Sequence, residues 1–561
     1  MVALLIPSAV LMPQEMRESF GALPTGLFPL NGKTMLAHLS AKYAGKVDTI
    51  YTVLYEKKTK VEDYIKAKRL PISVENLNVL GDLGHTIACG LAAILRDYPT
   101  TTQVYINFAD TLLGDELPDH KGDFLYDAQQ NLDHEWTWYQ ETDGHITDIF
   151  DKAAFRSGKE FDRAFQRVFV GVFGIAHPKE FLLLLDKYKD SADMDSFYAA
   201  LTAYTAKFPI NCIHTQNWFD VGHNETYSEI RTKVAARAFN SISIDNARGI
   251  LTKTSDNKEK LVDEIRWYLR MPGKLQYLLP RIYDYSLDFS APYVKMEYYG
   301  YHTLHESLIF GDLSEKRWKS IFQKLLLAMQ DMQSFRIVGR DNDCVDAIRS
   351  IYLDKTCERI EKLRTNSLFF PFFSQPIYIN GEKHRCLEEV LELLPRLVDV
   401  FLLRGAENRF SIIHGDLCFT NILVEDTYNF MRLIDPRGKF GQFDVYGDNY
   451  YEYAKLFHTL EGGYDYIIED MFEIAVDENF ITYNIGSIDR MPWQIFREVF
   501  QDHFKDECAI RLAEATLFLS MIPLHSDSLK RQYAMLATGV SLFDQIVDNE
   551  RMLIENVQQG V

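Results

Sequence analysis

Three polar side chains follow apolar runs in the last third of the chain. Asp416 comes shortly after the run that ends at Ile413, Asn421 lies five positions later, and Asp435 ends a second apolar run. In phosphoryl transfer, one carboxylate accepts the proton of the attacking hydroxyl, while an amide oxygen and a second carboxylate hold the metal ions on the phosphates. The order predicts Asp416 as the catalytic base and Asn421 and Asp435 as magnesium ligands. The alternative is a Gly-Asp turn beside a buried strand, with Asp435 starting another turn.

Such a site also needs a cation that holds the nucleotide. Lys253 ends a strand-like segment, and Glu264 follows within the helix-like residues 258–270. A lysine there binds the nucleotide phosphates, and the glutamate keeps the lysine in position. We therefore predict Lys253 as catalytic and ATP-binding, with Glu264 as its partner. The alternative is a solvent-facing lysine and a surface glutamate.

Residues 411–424 resemble the catalytic loop of the aminoglycoside phosphotransferase and choline kinase superfamily, whose members are relatives of protein kinases. The resemblance implies an α+β, protein-kinase-like domain that uses ATP and Mg²⁺. Residues 295–300 resemble the hinge between kinase lobes, which places Glu297 near the adenine. The hairpin lacks a glycine-rich phosphate loop, and Ser241 with its polar neighbours would bind phosphate instead.

The segment after Asp435 offers further groups for the acceptor. Arg437 would reach a phosphate or an anionic acceptor, or else bridge the lobes through a salt bridge. Asp444 and Asp448 either tie the loop to the next helix or line an acidic acceptor pocket. The tyrosines of this segment form either core packing or a cation–π site for an amine. They lie at positions 446, 450, 451 and 453.

A set of short motifs in the first part of the chain resembles the sugar nucleotidyltransferases. The motifs are residues 23–36, 81–88, 104–110, 169–175 and 218–223. The resemblance implies an α/β domain, Rossmann-like and of the GT-A nucleotidyltransferase type. Asp110 and Asp220 match the metal ligands of that family, and two carboxylates at strand ends can hold Mg²⁺ on an α-phosphate.

The same motifs also depart from the family. No glycine lies between Pro7 and Arg17, where the family has a glycine-rich loop, and Thr25 stands in place of a lysine. Both changes remove groups that cradle a triphosphate. Arg17 and Lys33 are the predicted substitutes. The alternatives are an inactive, ligand-binding relative, and a glycosyltransferase, although Asp110 lacks the usual Asp-x-Asp companion.

Composition excludes several classes of function. The formal net charge is −20 at pH 7, so nucleic acids and anionic membranes are not expected partners. The seven cysteines are odd in number and form no CxxC pair, which favours reduced thiols in the cytoplasm. We recognise neither a signal peptide nor a window of about 18 apolar residues, and expect no membrane insertion.

Two parts of the chain differ in periodicity. Short apolar strands alternate with helical segments in the first part, which predicts a mostly parallel sheet covered on both faces. A hairpin follows over residues 239–254, and helical periodicity dominates from residue 314 onward. We predict a nucleotidyltransferase-like domain at 1–230, a kinase-like N-lobe at 231–300, and a helical C-lobe with the catalytic loop at 301–561.

The order of these domains is similar to bacterial fusion proteins of capsule and surface-polysaccharide synthesis. The similarity implies two consecutive steps. The kinase-like domain phosphorylates a small alcohol, amino alcohol or sugar, and the first domain couples the phosphate to a second NTP, with CTP expected first. The alternatives are a kinase with an inactive, ligand-binding first domain, and a non-enzymatic scaffold. The expected partners are small molecules and nucleotides.

Overall fold

The computed structural model describes most of the chain. The described residues are 1–118, 122–129, 136–150, 167–191, 194–222, 227, 242–425, 427–486, 489–504 and 506–559, with 549–559 described by their backbone alone. They form two compact units, Met1–Ala235 and Ala236–Val561. Ser241, predicted to bind phosphate, and His223 of the last nucleotidyltransferase motif lie outside the described residues.

The first unit alternates strands and helices. Its strands are β1 (Val2–Pro7), β2 (Pro29–Leu30), β3 (Lys33–Thr34), β4 (Thr49–Leu54), β5 (Ile72–Asn76), β6 (Gln103–Asn107), β7 (Thr111–Leu113), β8 (Phe124–Ala128), β9 (Trp138–Thr142), β10 (His145–Phe150), β11 (Arg167–Ile175), β12 (Asn211–His214) and β13 (Trp218–Asp220). Its helices are α1 (Arg17–Phe20), α2 (Met35–Tyr43), α3 (Lys58–Ala67), α4 (Leu83–Asp97), α5 (Pro178–Tyr188) and α6 (Ser196–Thr205).

A mixed sheet runs through this unit in the order β10-β9-β11-β6-β1-β4-β5, with β8 and β12 joined to β11. β5, β4, β1 and β6 are parallel, as the alternation of strands and helices predicts. β11, however, is antiparallel to β6, β8 and β9, so the expectation of a mostly parallel sheet is wrong for this side. A two-residue hairpin turn joins β9 to β10 at Asp143 and Gly144, which have φ of 52° and 81°. Such turns make neighbouring strands antiparallel.

Helices cover both faces of the sheet. On one face, α4 packs so closely on β1 that a Cβ added to Gly90 would lie 2.3 Å from Cδ1 of Leu5. On the other, the hydroxyl of Tyr43 in α2 donates to Oδ1 of Asn107 in β6 at 3.0 Å. Covering on both faces explains why β1 is a continuous apolar run rather than an alternating one.

Two aspartates tie the N-termini of α4 and α6 together. Asp82 caps α4, and its Oδ2 also accepts the N–H of Ser196 in α6 at 2.8 Å. Asp195 caps α6, and its carboxylate accepts the N–H groups of Leu83 and Gly84 in α4 at 2.9 and 3.1 Å. Each carboxylate therefore satisfies amide donors that a helix start leaves without partners.

The second unit is richer in helix. Its strands are β14 (Ile242–Asp245), β15 (Ile250–Lys253), β16 (Ile282–Ser286), β17 (Tyr293–Glu297), β18 (His302–Thr303), β19 (Ile377–Ile379), β20 (Glu382–His384), β21 (Phe410–Ile412), β22 (Ile422–Val424), β23 (Met431–Leu433), β24 (Tyr446–Asp448), β25 (Glu473–Asp477) and β26 (Phe480–Asn484). Its helices are α7 (Lys258–Arg270), α8 (Leu304–Ile309), α9 (Glu315–Gln333), α10 (Asp341–Ile348), α11 (Lys355–Lys362), α12 (Phe370–Ser374), α13 (Leu387–Leu397), α14 (Asn449–Leu460), α15 (Tyr464–Ile468), α16 (Met491–Phe500), α17 (Glu507–Met521) and α18 (Leu529–Gln559).

An antiparallel sheet in the order β14-β15-β17-β16 opens this unit. β14 and β15 form the predicted hairpin, with Ile242 opposite Lys253. α7 contacts β17 and buries Leu261, Glu264 and Ile265 among its apolar residues. The helical period thus places Glu264 on the buried face rather than on the surface.

Short strand pairs lie on both sides of the loop that carries Asp416. The strand before the loop, β21, pairs with β24, and the strand after it, β22, pairs with β23. A π-helical turn, Arg349–Asp354, joins α10 to α11, an irregularity that is common at functional sites. The sheet β20-β19-β26-β25 has no counterpart in the sequence predictions.

One stretch of the described residues, Glu507–His525, is long and apolar enough to cross a membrane by length and composition, which the sequence analysis missed. Most of this stretch is buried within the unit, and α17 packs there against α14 and α18. Burial among these helices accounts for its apolar composition.

The shared caps predict that α4 and α6 open together. Asp195→Ala removes the acceptor of the Leu83, Gly84 and Phe197 amides, so the free energy of local opening should fall by about 2 kcal/mol. Hydrogen–deuterium exchange should then be faster in peptides from both helices. The exposed Asp186 pairs with Lys189, and Asp186→Ala is the matched control. Unchanged exchange in Asp195→Ala would contradict the shared cap.

Candidate active site

Buried contacts hold the loop that carries Asp416. Glu452, in α14, accepts the N–H groups of His414 and Gly415 at 2.9 and 2.8 Å. Gly415 has a φ of +76°, and a Cβ there would lie 2.9 Å from Cβ of Arg437. Only glycine combines that conformation with such a close approach. The His-Gly-Asp sequence is thus set by local geometry as well as by its chemistry.

Asp416 is an ionised carboxylate beside a buried lysine. Its side chain is 36% exposed, and its Oδ1 lies 2.8 Å from Nζ of Lys455 in α14. Burial opposes ionisation, but the charge of Lys455 outweighs it and lowers the pKa of Asp416 to about 2. Burial likewise disfavours the charged lysine, and Asp416 reverses this and raises the pKa of Lys455. Both groups are therefore charged at neutral pH.

Asn421 and Asp435 lie next to Asp416. Nδ2 of Asn421 donates to the carbonyl of Asp416 at 2.9 Å and to its Oδ2 at 3.3 Å. The carbonyl of Asn421 accepts the N–H of Ile434 at 3.0 Å, and the carbonyl of Ile434 lies 2.9 Å from Nε2 of His414. Asp435 follows with a φ of +55°, a conformation that Asp tolerates better than most residues.

Lys253 connects Glu264 to Asp435. Its Nζ lies 2.9 Å from both carboxylate oxygens of Glu264 and 2.7 Å from Oδ1 of Asp435. Burial raises the pKa of Glu264 to about 7, although Lys253 opposes the shift. Burial lowers the pKa of Lys253, but the charges of Asp435 and Glu264 more than offset it, so the lysine stays protonated. The structure therefore brings the predicted lysine, glutamate and metal aspartate together.

Asn421 and Asp435 offer the oxygen ligands that Mg²⁺ prefers. The Asp435 side chain is half exposed, so its carboxylate is accessible to a metal. Within the described ranges, no group of three or more His, Cys, Asp and Glu side chains is placed to hold a metal. The two residues fit a magnesium ion whose remaining ligands are nucleotide phosphates and water, which is the usual way that proteins bind this ion.

Glu297 does not join this cluster. In the register of β15 and β17, Lys253 lies opposite Val294, whereas Glu297 lies opposite Ile250, so the two are about 10 Å apart along the sheet. The carboxylate of Glu297 accepts the hydroxyl of Tyr299 at 2.6 Å. The side chain is thus engaged with its own segment.

Ion pairs show how the two aspartates in the segment after Asp435 are used. Asp448 is buried, pairs with Arg409 at 2.9 Å and caps α14, so it is a structural residue. Asp444 pairs with Arg270. The guanidinium carbon of Arg409 lies 4.2 Å from the ring centroid of Tyr450, so the chain's own arginine covers that face. Asp444 and Asp448 are therefore engaged in ion pairs, which favours the structural interpretation of both, and Tyr450 packs on Arg409.

A cavity of about 790 Å³ opens beside Asp416 and Asn421. Its lining includes the basic residues Lys260, Lys355, Arg359, Arg437, Lys439 and Lys455. The sequence analysis singled out only Arg437 among them. Lys355 and Arg359 lie one helical turn apart on α11, far upstream of the catalytic loop, and no motif marks them. Tertiary packing alone places them at the site.

In the first unit, Asp110 and Asp220 meet at the ends of paired strands. Asp220 ends β13 opposite Thr111 of β7, and the carbonyl of Asp110 accepts the N–H of Val221 at 2.8 Å. A Cβ added to Gly222 would lie 2.9 Å from Oδ1 of Asp220 and 3.4 Å from Oδ2 of Asp110. Both carboxylates therefore flank one point, an arrangement that suits a shared Mg²⁺.

The loop after β1 is closed on itself. The N–H of Met12 donates to the carbonyl of Leu23 at 2.9 Å, and the N–H of Thr25 donates to the carbonyl of Val10 at 3.3 Å. Met12 and Leu23 are buried in an apolar cluster that also contains Val221. These backbone donors already have acceptors within the chain, so they do not form an open phosphate cradle.

The predicted substitutes for the missing phosphate-binding groups differ in their surroundings. Nε of Arg17 donates to the carbonyl of Met12 at 2.7 Å, so this arginine stabilises the closed loop. Lys33 is exposed at the start of β3, within a hairpin with β2. Lys33 is the more exposed of the two, and Arg17 is partly exposed with its Nη groups outside this bond.

No protein-family model and no curated protein sequence matches the chain. Similar solved structures include the CTP:phosphocholine cytidylyltransferase from Streptococcus pneumoniae, with 12% identity, a TM-score of 0.33, and 42% of this chain and 99% of that chain covered. The inositol-1-phosphate CTP transferase from T. maritima has 12% identity and a TM-score of 0.33 over 41% of this chain and 95% of its own. A UDP-glucose pyrophosphorylase from Acinetobacter baumannii has 12% identity and a TM-score of 0.33 over 43% and 95%. Neither identity nor TM-score reaches a level that assigns a function to this chain.

Proposed function

We propose that the second unit is an ATP-dependent kinase of small molecules with a protein-kinase-like fold. The observation that carries the proposal is the convergence of side chains from distant segments into one set of contacts. Lys253 pairs with Glu264 and Asp435, while Asn421 bonds to Asp416 and to the residue before Asp435. These residue types, in this order, are those that phosphoryl transfer from a magnesium nucleotide requires.

In the proposed reaction, a hydroxyl of the acceptor donates its hydrogen bond to Asp416 and attacks the γ-phosphorus of ATP. The bond from the acceptor oxygen to phosphorus forms, the bond from phosphorus to the bridging oxygen of ADP breaks, and ADP leaves. Asp416 takes the hydroxyl proton and releases it to solvent. Lys253 holds the α- and β-phosphates. Asn421 and Asp435 would hold Mg²⁺, which would supply charge neutralisation at the phosphates.

The strand register suggests where the rest of the nucleotide lies. Glu297 lies about 10 Å along the sheet from Lys253, which suits the distance from the phosphates to the adenine. We therefore keep residues 295–300 as the proposed adenine contact. Ser241 remains the proposed phosphate contact in the hairpin.

For the first unit, the proposed function is nucleotidyl transfer that activates the phosphorylated product. Asp110 and Asp220 would hold Mg²⁺ on the α-phosphate of a second NTP, with CTP expected first, and Lys33 would bind its phosphates. A phosphate oxygen of the acceptor forms a bond to the α-phosphorus, the bond from the α-phosphorus to the oxygen that bridges to the β-phosphate breaks, and pyrophosphate leaves with that oxygen. The product would be an NDP derivative for surface-polysaccharide synthesis in the cytoplasm.

A second candidate is a first unit that binds a ligand without catalysis. The closed loop after β1 favours it, because the backbone donors of Met12 and Thr25 already bind carbonyls of the chain. In that case the paired carboxylates are retained in a site that lacks a cradle for triphosphate. The kinase proposal for the second unit does not depend on which candidate is right.

Asp416→Asn tests the kinase proposal. The amide cannot take the hydroxyl proton, so kcat for ATP-dependent phosphorylation should fall by about 10² to 10⁴. The affinity for MgATP, measured by calorimetry, should change little because Lys253, Asn421 and Asp435 remain. The exposed Asp399 pairs with Arg349, and Asp399→Asn is the control that should retain activity. Undiminished turnover in Asp416→Asn would exclude this residue as the base.

Asp110→Asn and Asp220→Asn test the first unit. Each should lower pyrophosphate release by about a hundredfold or more, because each removes a charged ligand of the catalytic metal. Pyrophosphate would be measured with each NTP and a pool of sugar and alcohol phosphates, with Asp186→Asn as the control. Tight NTP binding by the unchanged protein without pyrophosphate release would instead support the ligand-binding candidate.

A further inference from the structure

The cavity beside Asp416 lies apart from the proposed nucleotide contacts. Its lining includes Asp416 and Asn421, but not Lys253, Glu264 or Asp435. A hydroxyl that is to be phosphorylated must reach Asp416, so this cavity is the place for the acceptor. Its volume of about 790 Å³ is in the range of small-molecule sites.

Three basic groups of this cavity, Lys355, Arg359 and Arg437, have no carboxylate partner among the residues that the structure describes. Nη1 of Arg359 donates to the carbonyl of Ser520 at 3.1 Å, and Nη1 of Arg437 donates to the hydroxyl of Tyr451 at 2.7 Å. Each guanidinium carries five N–H donors, so most of its donors remain for a ligand. Lys355 has no side-chain hydrogen bond or ion pair to any residue that the structure describes. Unpaired charges in such a partly buried place are costly unless an anion compensates them.

The cations also act on one another. Burial, followed by the charges of Arg437, Arg359 and Lys455, lowers the pKa of Lys355 to about 6. Burial and Arg437 lower the pKa of Arg359 as well. Lys455 is the cation of this group that has a carboxylate partner, Asp416. Without a bound anion, Lys355 is therefore largely neutral at neutral pH, and an anion bound beside it would favour its protonated form.

The lining contains three acidic residues. Asp416 pairs with Lys455, whereas Glu259 and Asp263 are on α7. Burial raises the pKa of Asp263, and the charges of Lys439 and Arg266 oppose the shift. Apolar side chains also line the cavity, among them Ile351, Leu517, Met521 and Leu524. A carbon skeleton can pack against these side chains while a charged group contacts Lys355 and Arg359.

We infer that the acceptor is an anionic alcohol, which carries a carboxylate or a phosphate besides the hydroxyl that is phosphorylated. Lys355, Arg359 and Arg437 bind the anionic group, and Asp416 orients the hydroxyl. The inference rests on the proposed kinase function. It excludes choline-like and other cationic acceptors, because the same groups would repel them. Carboxylate and phosphate share the chemistry that these cations recognise, and the test separates them.

The test uses matched pairs of acceptors with the full-length protein and MgATP. Glycerol, ribitol and glucose would be compared with glycerate, glycerol 3-phosphate, ribitol 5-phosphate and glucose 6-phosphate, and with choline and ethanolamine. Products would be identified by mass spectrometry, and kcat/KM measured for each acceptor that reacts. We expect the anionic member of a pair to exceed the neutral one by about tenfold or more. Comparison of glycerate with the phosphate esters shows whether the site prefers a carboxylate or a phosphate.

Variants of Lys355 test whether this lysine binds the anionic group of the acceptor. Lys355→Met should raise the KM for the anionic acceptor by about tenfold, with a smaller change in the KM for MgATP. Lys355→Arg keeps the charge and should restore most of the affinity. Lys362→Met is the matched control, since Lys362 lies on the same helix but is exposed and pairs with Glu358. Circular dichroism of each variant would confirm that it is folded.

The outcomes separate the inference from the kinase proposal. Phosphorylation of neutral or cationic alcohols in preference to anionic ones would overturn the inference and leave the kinase proposal in place. The same holds if anionic acceptors react but Lys355→Met behaves like Lys362→Met. If no acceptor reacts, while ATP binds, the kinase proposal fails and the inference fails with it.

Discussion

One buried lysine holds the second unit's site together. Nζ of Lys253 contacts Glu264 in α7 and Asp435 after β23, so a single cation joins a strand, a helix and a turn that are distant in sequence. The side chain of Glu264 is only 3% exposed, and without the lysine its charge would have no compensation. Breaking a buried pair by removal of one partner typically costs about 3–5 kcal/mol. Correct placement of Asp435 is therefore tied to the folding of this unit.

The catalytic loop adds a second constraint of the same kind. Glu452 accepts two successive backbone N–H groups, those of His414 and Gly415, and burial raises the pKa of its carboxyl to about 7. Lys455, one turn further along α14, pairs with Asp416. One helix thus supplies both the acceptor that orients the loop and the cation that keeps Asp416 ionised.

In the first unit the two carboxylates converge, but the backbone amides of the neighbouring loop are not open to a ligand. Asp110 and Asp220 converge at the ends of paired strands, an arrangement that suits the proposed metal site. The neighbouring loop folds onto an apolar cluster through Met12 and Leu23, and its amides bind carbonyls of the chain. Metal ligands at strand ends and a phosphate cradle in a loop are separate structural features, so a chain can keep the first while it changes the second.

The sequence by itself determined the local features. The parallel strands β1 and β4, the hairpin that ends at Lys253, helix α7 and the spacing of Asp416, Asn421 and Asp435 follow from periodicity and short-range order, because neighbouring residues decide them. It did not reveal the antiparallel side of the first sheet, because the pairing of β11 with β6 and β8 joins segments that are far apart along the chain.

Only the tertiary structure decided how residues far apart in sequence are paired. It made Asp448 a structural partner of Arg409, covered Tyr450 with the same arginine, and placed Lys355, Arg359 and Arg437 around the cavity beside Asp416. Lys355 and Arg359 show no pattern in the sequence that marks them as ligands. Burial, charge compensation and cavity lining depend on which segments pack together, and that information is absent from the spacing of residues along the chain.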